Sequence, residues 1–264
     1  MCNWFSCVSD GEGYMYSFNE EHRQAIYDGK ELACKVGANP IRARGGLDSH
    51  SALCSFYGLD CDKVNKYEFR PLDRHFKIDQ INTTDDSKQI KRKLQRLDYR
   101  KLAPPELIFK PIIHPFKLNR KRVTHADLIL LKKWESVENS VLGSVGNSVR
   151  NSVRDSVNDS VGNSVGTSVR ASVWASVWAS VNDSVRNSVW ASVWAYTGSF
   201  FNLPKWKYIK HNEGEYPFQS AVDLWEKGLV PSFDGKVWRL HGGKDGRVLK
   251  EISKEELSKL TEVK

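Results

Sequence analysis

The chain has 264 residues, with 40 Lys and Arg against 32 Asp and Glu, and a net charge of +8 at pH 7. This length allows one to three domains, and the charge is compatible with an anionic partner without requiring one. The first residues lack the features of a secretory signal and no stretch has the apolar length of a membrane span, so we expect a cytoplasmic protein without membrane contact. All five cysteines precede residue 62, and in a reducing compartment we expect free thiols and no bound metal.

Residues 1–118 have the pattern of a small α/β domain. Turn residues at 9–12 separate two short β-type segments, Asn19 is a suitable N-cap, and Asp48 precedes an apolar helical segment. The third predicted helix carries a run of Lys and Arg, and this run favours a solvated face. The predicted strands are 2–8, 13–18, 66–69 and 76–79, and the predicted helices are 19–29, 49–57 and 87–97.

Two residues of this domain are candidates for catalysis. If Met1 is removed, the thiol of Cys2 lies beside a free α-amine, and one residue then supplies both nucleophile and base. His50 follows Asp48 and Ser49 and precedes Cys54 by one helical turn, which is a second candidate constellation. For Cys2 the structural alternative is a small residue that opens a strand. For His50 it is a histidine that makes hydrogen bonds at the start of a helix. The pattern favours the structural alternative for each residue.

Residues 119–134 are predicted as a linker and a capping helix, and residues 135–198 form a repeat array. Ser-Val recurs every four residues between Ser136 and Val193, fifteen times in all. In an α-helix four residues turn the chain by about 400°, so each valine would drift by about 40° from the last. Over the whole array the valines would circle the helix, and no single apolar face would exist.

A β-solenoid avoids this drift and is the fold that the array predicts. Each Ser-Val step would be a short strand with valine on the axis. The pairs between the steps are turn residues: Gly146-Asn147, Arg150-Asn151, Arg154-Asp155, Asn158-Asp159 and Gly162-Asn163. The predicted fold class is therefore mixed, with a central β-solenoid of four-residue repeats between two small α/β domains.

The side chain of the residue after each valine would point outward, and these side chains form the candidate binding surface. Coils of sixteen residues would stack Arg154, Arg170 and Arg186 in one column and the tryptophans in two. The alternative is that the tryptophans dock the last coils onto the following domain, since large aromatics are rarely left exposed. The candidate binding residues are Arg154, Arg170, Arg186, Trp174, Trp178, Trp190 and Trp194.

Residues 199–264 are predicted as a small α+β domain. Residues 219–228 have a helical pattern, and residues 236–240 and 247–252 read as two strands around a glycine-rich turn. Ser253 and Glu256 occupy the positions of a capping box at the start of a last helix. The turn at 241–246 is neither of the glycine motifs that cradle phosphates, so a plain hairpin is favoured.

Several segments together resemble proteins of phages and uncultured microbes. They include residues 1–3, 48–51, 65–68, 78–82 and 216–220, the Ser-Val array, and residues 231–243. The array is also similar in logic to pentapeptide-repeat solenoids, some of which mimic DNA with an acidic surface. Here the array carries arginine and tryptophan, and the resemblance implies no site residues.

The sequence favours a non-enzymatic binding or assembly protein built on a rigid solenoid. We expect no cofactor and a protein partner. A nucleic acid is the anionic alternative, and self-association through the solenoid ends is compatible with the repeat. The second hypothesis is a hydrolase or transferase that uses Cys2, with the array as a spacer. A third is an array that binds ice or another surface.

Overall fold

The computed structural model describes residues 4–36, 39–139, 145–177 and 186–261, and Cys2, Trp178 and the side chain of Arg186 lie outside what is described. The chain divides into two compact units. Unit 1 consists of Met1–Phe109 with Val161–Val169, and unit 2 consists of Lys110–Ser160 with Arg170–Lys264. None of the described helices combines the length and the apolar character that a membrane crossing requires.

Unit 1 is built on a four-stranded antiparallel sheet of order β2-β1-β3-β4. Asn19 accepts a hydrogen bond from a backbone N–H group and caps the first helix, as predicted, whereas the second helix is capped by Ser49, one residue after Asp48. The strands are β1 (Phe5–Ser9), β2 (Met15–Tyr16), β3 (Asn65–Arg70) and β4 (His75–Gln80), and the helices are α1 (Glu20–Tyr27), α2 (His50–Tyr57), α3 (Ser87–Leu94) and α4 (Tyr99–Leu102).

The core of unit 1 is apolar but contains one buried ion pair. Val8 of β1 belongs to a buried cluster with Phe18, Ile26 and Leu53. A guanidinium nitrogen of Arg23 lies 3.4 Å from a carboxylate oxygen of Asp48, and both side chains are almost fully buried. Burial raises the pKa of Asp48 to about 6, although its charged neighbour and a serine hydroxyl act in the opposite direction.

Unit 2 contains a three-stranded antiparallel sheet of order β5-β6-β7. Tyr196 stacks on Trp225 with ring centroids 4.9 Å apart, and both rings are buried. The capping box predicted from Ser253 and Glu256 is present. The strands are β5 (Val230–Phe233), β6 (Val237–Gly242) and β7 (Arg247–Ser253), and the helices outside the array are α5 (His125–Asn139), α9 (Gln219–Glu226) and α10 (Lys254–Lys259).

The predicted β-solenoid is wrong, because the described residues of the array are helical. They form α6 (Val145–Val161), α7 (Asn163–Val177) and α8 (Arg186–Gly198). Of the five predicted turn pairs, only Gly162-Asn163 breaks the helical run, and Gly162 has a positive φ of 90° that favours glycine. The other four pairs lie within α6.

The drift of the valines prevents a single apolar face only in one long helix, and the described part of the array forms shorter helices. In α6 the described valines from Val149 to Val161 are four in number, and three steps of about 40° spread them over ~120°. An apolar stripe of that width is ordinary for a helix that packs on a core. All four are at most 2% exposed, so a short helix tolerates a repeat that a long one would not.

The array serines are part of the packing as well. In unit 2, Ser152 donates a hydrogen bond to the carbonyl of Lys207, and the hydroxyl of Ser156 accepts one from the backbone N–H of the same residue. In unit 1, Ser164 donates to a carboxylate oxygen of Asp48 at 2.5 Å. The serines therefore satisfy polar groups next to the buried valines, and the described array belongs to the interior of each unit.

The prediction that all cysteines are free is also wrong. Cys54 and Cys61 form a disulfide, so Cys54 is not a free thiol one turn after His50. Of the described cysteines, Cys7 and Cys34 are free. Burial holds the pKa of the Cys7 thiol well above its usual range, which keeps it protonated and unreactive.

Candidate functional site

The most strongly charged surface of unit 1 lies on α3, α4 and the turn between them. Residues 87–101 carry seven cations and one acidic residue, a net charge of +6 out of +8 for the whole chain. All seven cationic side chains are exposed. We call this set the basic surface, and its members are Lys88, Lys91, Arg92, Lys93, Arg96, Arg100 and Lys101.

The charges of the basic surface are not neutralised within unit 1. The described ion pairs of this unit use other cations, such as Arg23, Arg70 and Lys77, and none joins a member of the basic surface to a carboxylate. Lys93 donates a hydrogen bond to a backbone carbonyl at 2.7 Å, which leaves its charge in place. Like charges this close repel one another, so the surface is suited to an anionic partner.

The apolar side of α3 faces the protein interior. Ile90 and Leu94 are both 0% exposed, and Tyr99 of α4 stacks on Phe69 with ring centroids 5.3 Å apart. The outer face of α3 therefore presents cations without apolar residues between them. A helix that lies on a membrane needs its apolar side for the lipid, and here that side is already covered.

The array residues predicted to bind are placed differently from one another. Arg154 is exposed, and its Nε lies 2.7 Å from a carboxylate oxygen of Asp155. The guanidinium carbon of Arg170 lies 5.5 Å from the ring centroid of Trp194, a ring that is only 5% exposed. Arg154 therefore makes an ion pair, and Arg170 makes a cation–π contact.

The tryptophan pairing predicted from the sixteen-residue period is present in one case, although helices produce it. Trp174 of α7 and Trp190 of α8 contact each other edge to face with centroids 4.6 Å apart. Both are half-buried in unit 2. The predicted partner of Trp194, Trp178, lies outside the described residues, as do Cys2 and the Arg186 side chain.

His50 lies in a polar cluster that the sequence does not bring together. Its ring is 7% exposed at the start of α2, and its Nε2 lies 3.1 Å from the carbonyl oxygen of Tyr67. Its Nδ1 lies 3.7 Å from a carboxylate oxygen of Asp79 on β4. Glu68 of β3 completes the cluster, and one ligand atom from each of the three residues lies within 4.8 Å of the others.

Glu68 and Asp79, which the sequence did not single out, lie on the paired strands β3 and β4. Glu68 pairs with Lys77 across β3 and β4, so Asp79, two residues further along, lies on the same face of the sheet. The alternation of the hairpin could have placed these two carboxylates together. Only the packing of α2 on the sheet adds His50, and no local pattern predicts that contact.

A serine–histidine pair in unit 2 was also missed. The hydroxyl of Ser232 lies 2.7 Å from Nε2 of His241, and Nδ1 of the same ring lies 3.1 Å from the carbonyl of Gly246. The order resembles a nucleophile, a base and a group that orients the base. Both side chains are only 4% exposed, so the pair serves to link β5 with the turn after β6.

Comparison with protein-family models, with curated protein sequences and with solved structures finds no match to this chain.

Proposed function

We propose that the protein is a non-enzymatic binding protein whose basic surface holds the phosphate backbone of a nucleic acid. The observation that carries the proposal is the concentration of charge: a net +6 of the chain's +8 lies on residues 87–101. A cluster of Lys and Arg on one face is the electrostatic footprint of nucleic-acid binding. Contacts of this type depend on charge and not on base sequence.

The kinds of side chain and their spacing support a polyanion. Lys88, Arg92 and Arg96 follow one another at intervals of four residues, which places Lys88 and Arg92 on one side of α3. A guanidinium binds phosphate oxygens with two parallel hydrogen bonds. We favour nucleic acid over an anionic membrane because the apolar residues of α3 are buried and cannot enter lipid.

Binding of fluorescein-labelled 20-nucleotide single-stranded and duplex DNA, followed by fluorescence anisotropy at several salt concentrations, tests the proposal. We expect the native chain to bind both probes, with an affinity that falls steeply as salt rises. Replacing Lys88, Arg92 and Arg96 by Gln should lower the slope of log K against log salt by about 2 to 3, because each lost phosphate contact lowers it by about 0.7 to 0.9.

A matched control removes the same number of charges from unit 2. Lys205, Lys210 and Lys236 are exposed, and their joint replacement by Gln should leave the slope nearly unchanged. Equal losses in the two variants would show that only net charge matters and would reject a defined surface. Binding to vesicles of anionic lipid without binding to either DNA probe would reject nucleic acid as the partner.

A further inference from the structure

The cluster of His50, Glu68 and Asp79 offers one imidazole nitrogen and two carboxylates on one face of the sheet of unit 1. His50 and Glu68 are buried, with 7% and 2% of their surfaces exposed, and Asp79 is 37% exposed at the outer strand. The cluster is therefore open to solvent on the side of Asp79. An ion could reach the two buried ligands from that side.

The orientation of His50 is fixed by its second nitrogen. A backbone carbonyl can only accept a hydrogen bond, so Nε2 must donate to the carbonyl of Tyr67, 3.1 Å away. Nδ1 then faces a carboxylate oxygen of Asp79 at 3.7 Å. Histidines that bind metals are typically held by a hydrogen bond of this kind from the other nitrogen.

The separation of the ligand atoms suits a tetrahedral metal ion. The ligand atoms of a tetrahedral zinc site lie about 3.4 Å apart when each is ~2.1 Å from the metal. The observed 3.7 Å is close to this separation, and the three ligand atoms all lie within 4.8 Å of one another.

Lys77 now supplies part of the positive charge. Its Nζ lies 2.9 Å from one oxygen of Asp79 and 3.4 Å from Glu68. One ammonium therefore faces two carboxylates, and one of these is buried. The Lys77 side chain is 46% exposed, so it can move into solvent when a dication takes its place.

From this geometry we infer that His50, Glu68 and Asp79 bind a divalent transition metal ion of the zinc type. An imidazole together with carboxylates suits Zn²⁺ better than Mg²⁺, which prefers oxygen ligands alone. Three protein ligands leave one position of a tetrahedral ion for water. This site is separate from the basic surface, and either proposal can fail without the other.

Isothermal titration of the full chain with Zn²⁺, without reductant, tests this inference. We expect one binding event per chain that depends on the cluster and a much weaker response to Mg²⁺. Asp79→Asn should weaken zinc binding at least tenfold and should fold normally, because Asp79 is at the surface. His50→Gln should abolish the event. Zinc should raise the melting temperature of the native chain but not that of the variants.

His75→Gln is the matched control, because His75 is an exposed histidine on the same strand as Asp79. It should bind zinc as the native chain does. The absence of zinc binding by the native chain would overturn the inference. Binding by Asp79→Asn with native affinity would do the same, because the ion would then lie elsewhere.

Discussion

The substitution Arg154→Pro distinguishes a helical array from a β-solenoid. Arg154 lies in the interior of α6, nine residues after its start at Val145 and seven before its end at Val161. Proline there removes a backbone hydrogen bond and clashes with the preceding turn, at a cost of about 3 kcal/mol or more. In a solenoid, residue 154 would begin a turn pair, where proline is readily accepted.

Arg154→Ala isolates the loss of the side chain. The ion pair of Arg154 with Asp155 is at the surface, with 44% and 25% of the two side chains exposed, and such pairs contribute about 0 to 1 kcal/mol. We therefore expect Arg154→Ala to stay within about 1 kcal/mol of the native free energy of unfolding. Arg154→Pro should fall about 3 kcal/mol below the alanine variant.

Urea unfolding followed by circular dichroism at 222 nm measures both quantities. The proline variant should also lose helical signal in the absence of denaturant. Equal unfolding free energies for the proline and alanine variants would refute the helical assignment of α6, because only a turn or loop would tolerate the change.

Two further predictions concern buried side chains. Val157→Ala should lower the free energy of unfolding by about 1.5 to 2.5 kcal/mol in the same assay. Val157 is 2% exposed, and the loss of its methyl groups outweighs the better helix propensity of alanine. A change as small as that of Arg154→Ala would contradict the burial of Val157. Burial also lowers the pKa of His241 below its usual value, so its contribution to stability is complete above about pH 6.5 and is lost as the pH falls below that value. The difference in unfolding free energy between the native chain and His241→Gln should therefore shrink between pH 7.5 and pH 5, and a difference that does not change with pH would contradict this role.

Local signals predicted most of the helices and strands outside the array, but not β5 or α4. Asn19 and Ser253 each cap a helix that begins at the following residue, because capping depends on a few neighbouring atoms. The hairpin of β3 and β4 and that of β6 and β7 follow from alternating residues around turns. These elements need little information from the rest of the chain.

The array could not be assigned from its period alone. Valines that recur every four residues form no single apolar face along one long helix, but they do form one along a short helix. The positions at which the helix is interrupted therefore decide whether the array can be helical. Gly162 marks one break, but the sequence gives nearly the same signal at Gly146, which lies inside α6. Whether the array is helical also depends on the tertiary packing of the valines and on the hydrogen bonds of the serines, which the period does not contain.

The candidate sites were predicted only in part. The exposure of the cations on α3 follows from its helical period, since Ile90 and Leu94 occupy the buried side. His50 was identified as a candidate, but its contacts with Glu68 and Asp79 join a helix to two strands. The sequence contains no signal for such a contact, because it depends on how α2 packs against the sheet.

We place the binding surface on α3 and α4 and not on the array. The most direct test of this placement compares two variants that each lose three positive charges, Lys88, Arg92 and Arg96→Gln and Arg154, Arg170 and Arg186→Gln, in the DNA anisotropy assay at low salt. We expect the array variant to bind as the native chain does and the surface variant to lose at least tenfold in affinity. The reverse order would contradict the account and would place the partner on the arginines of the array.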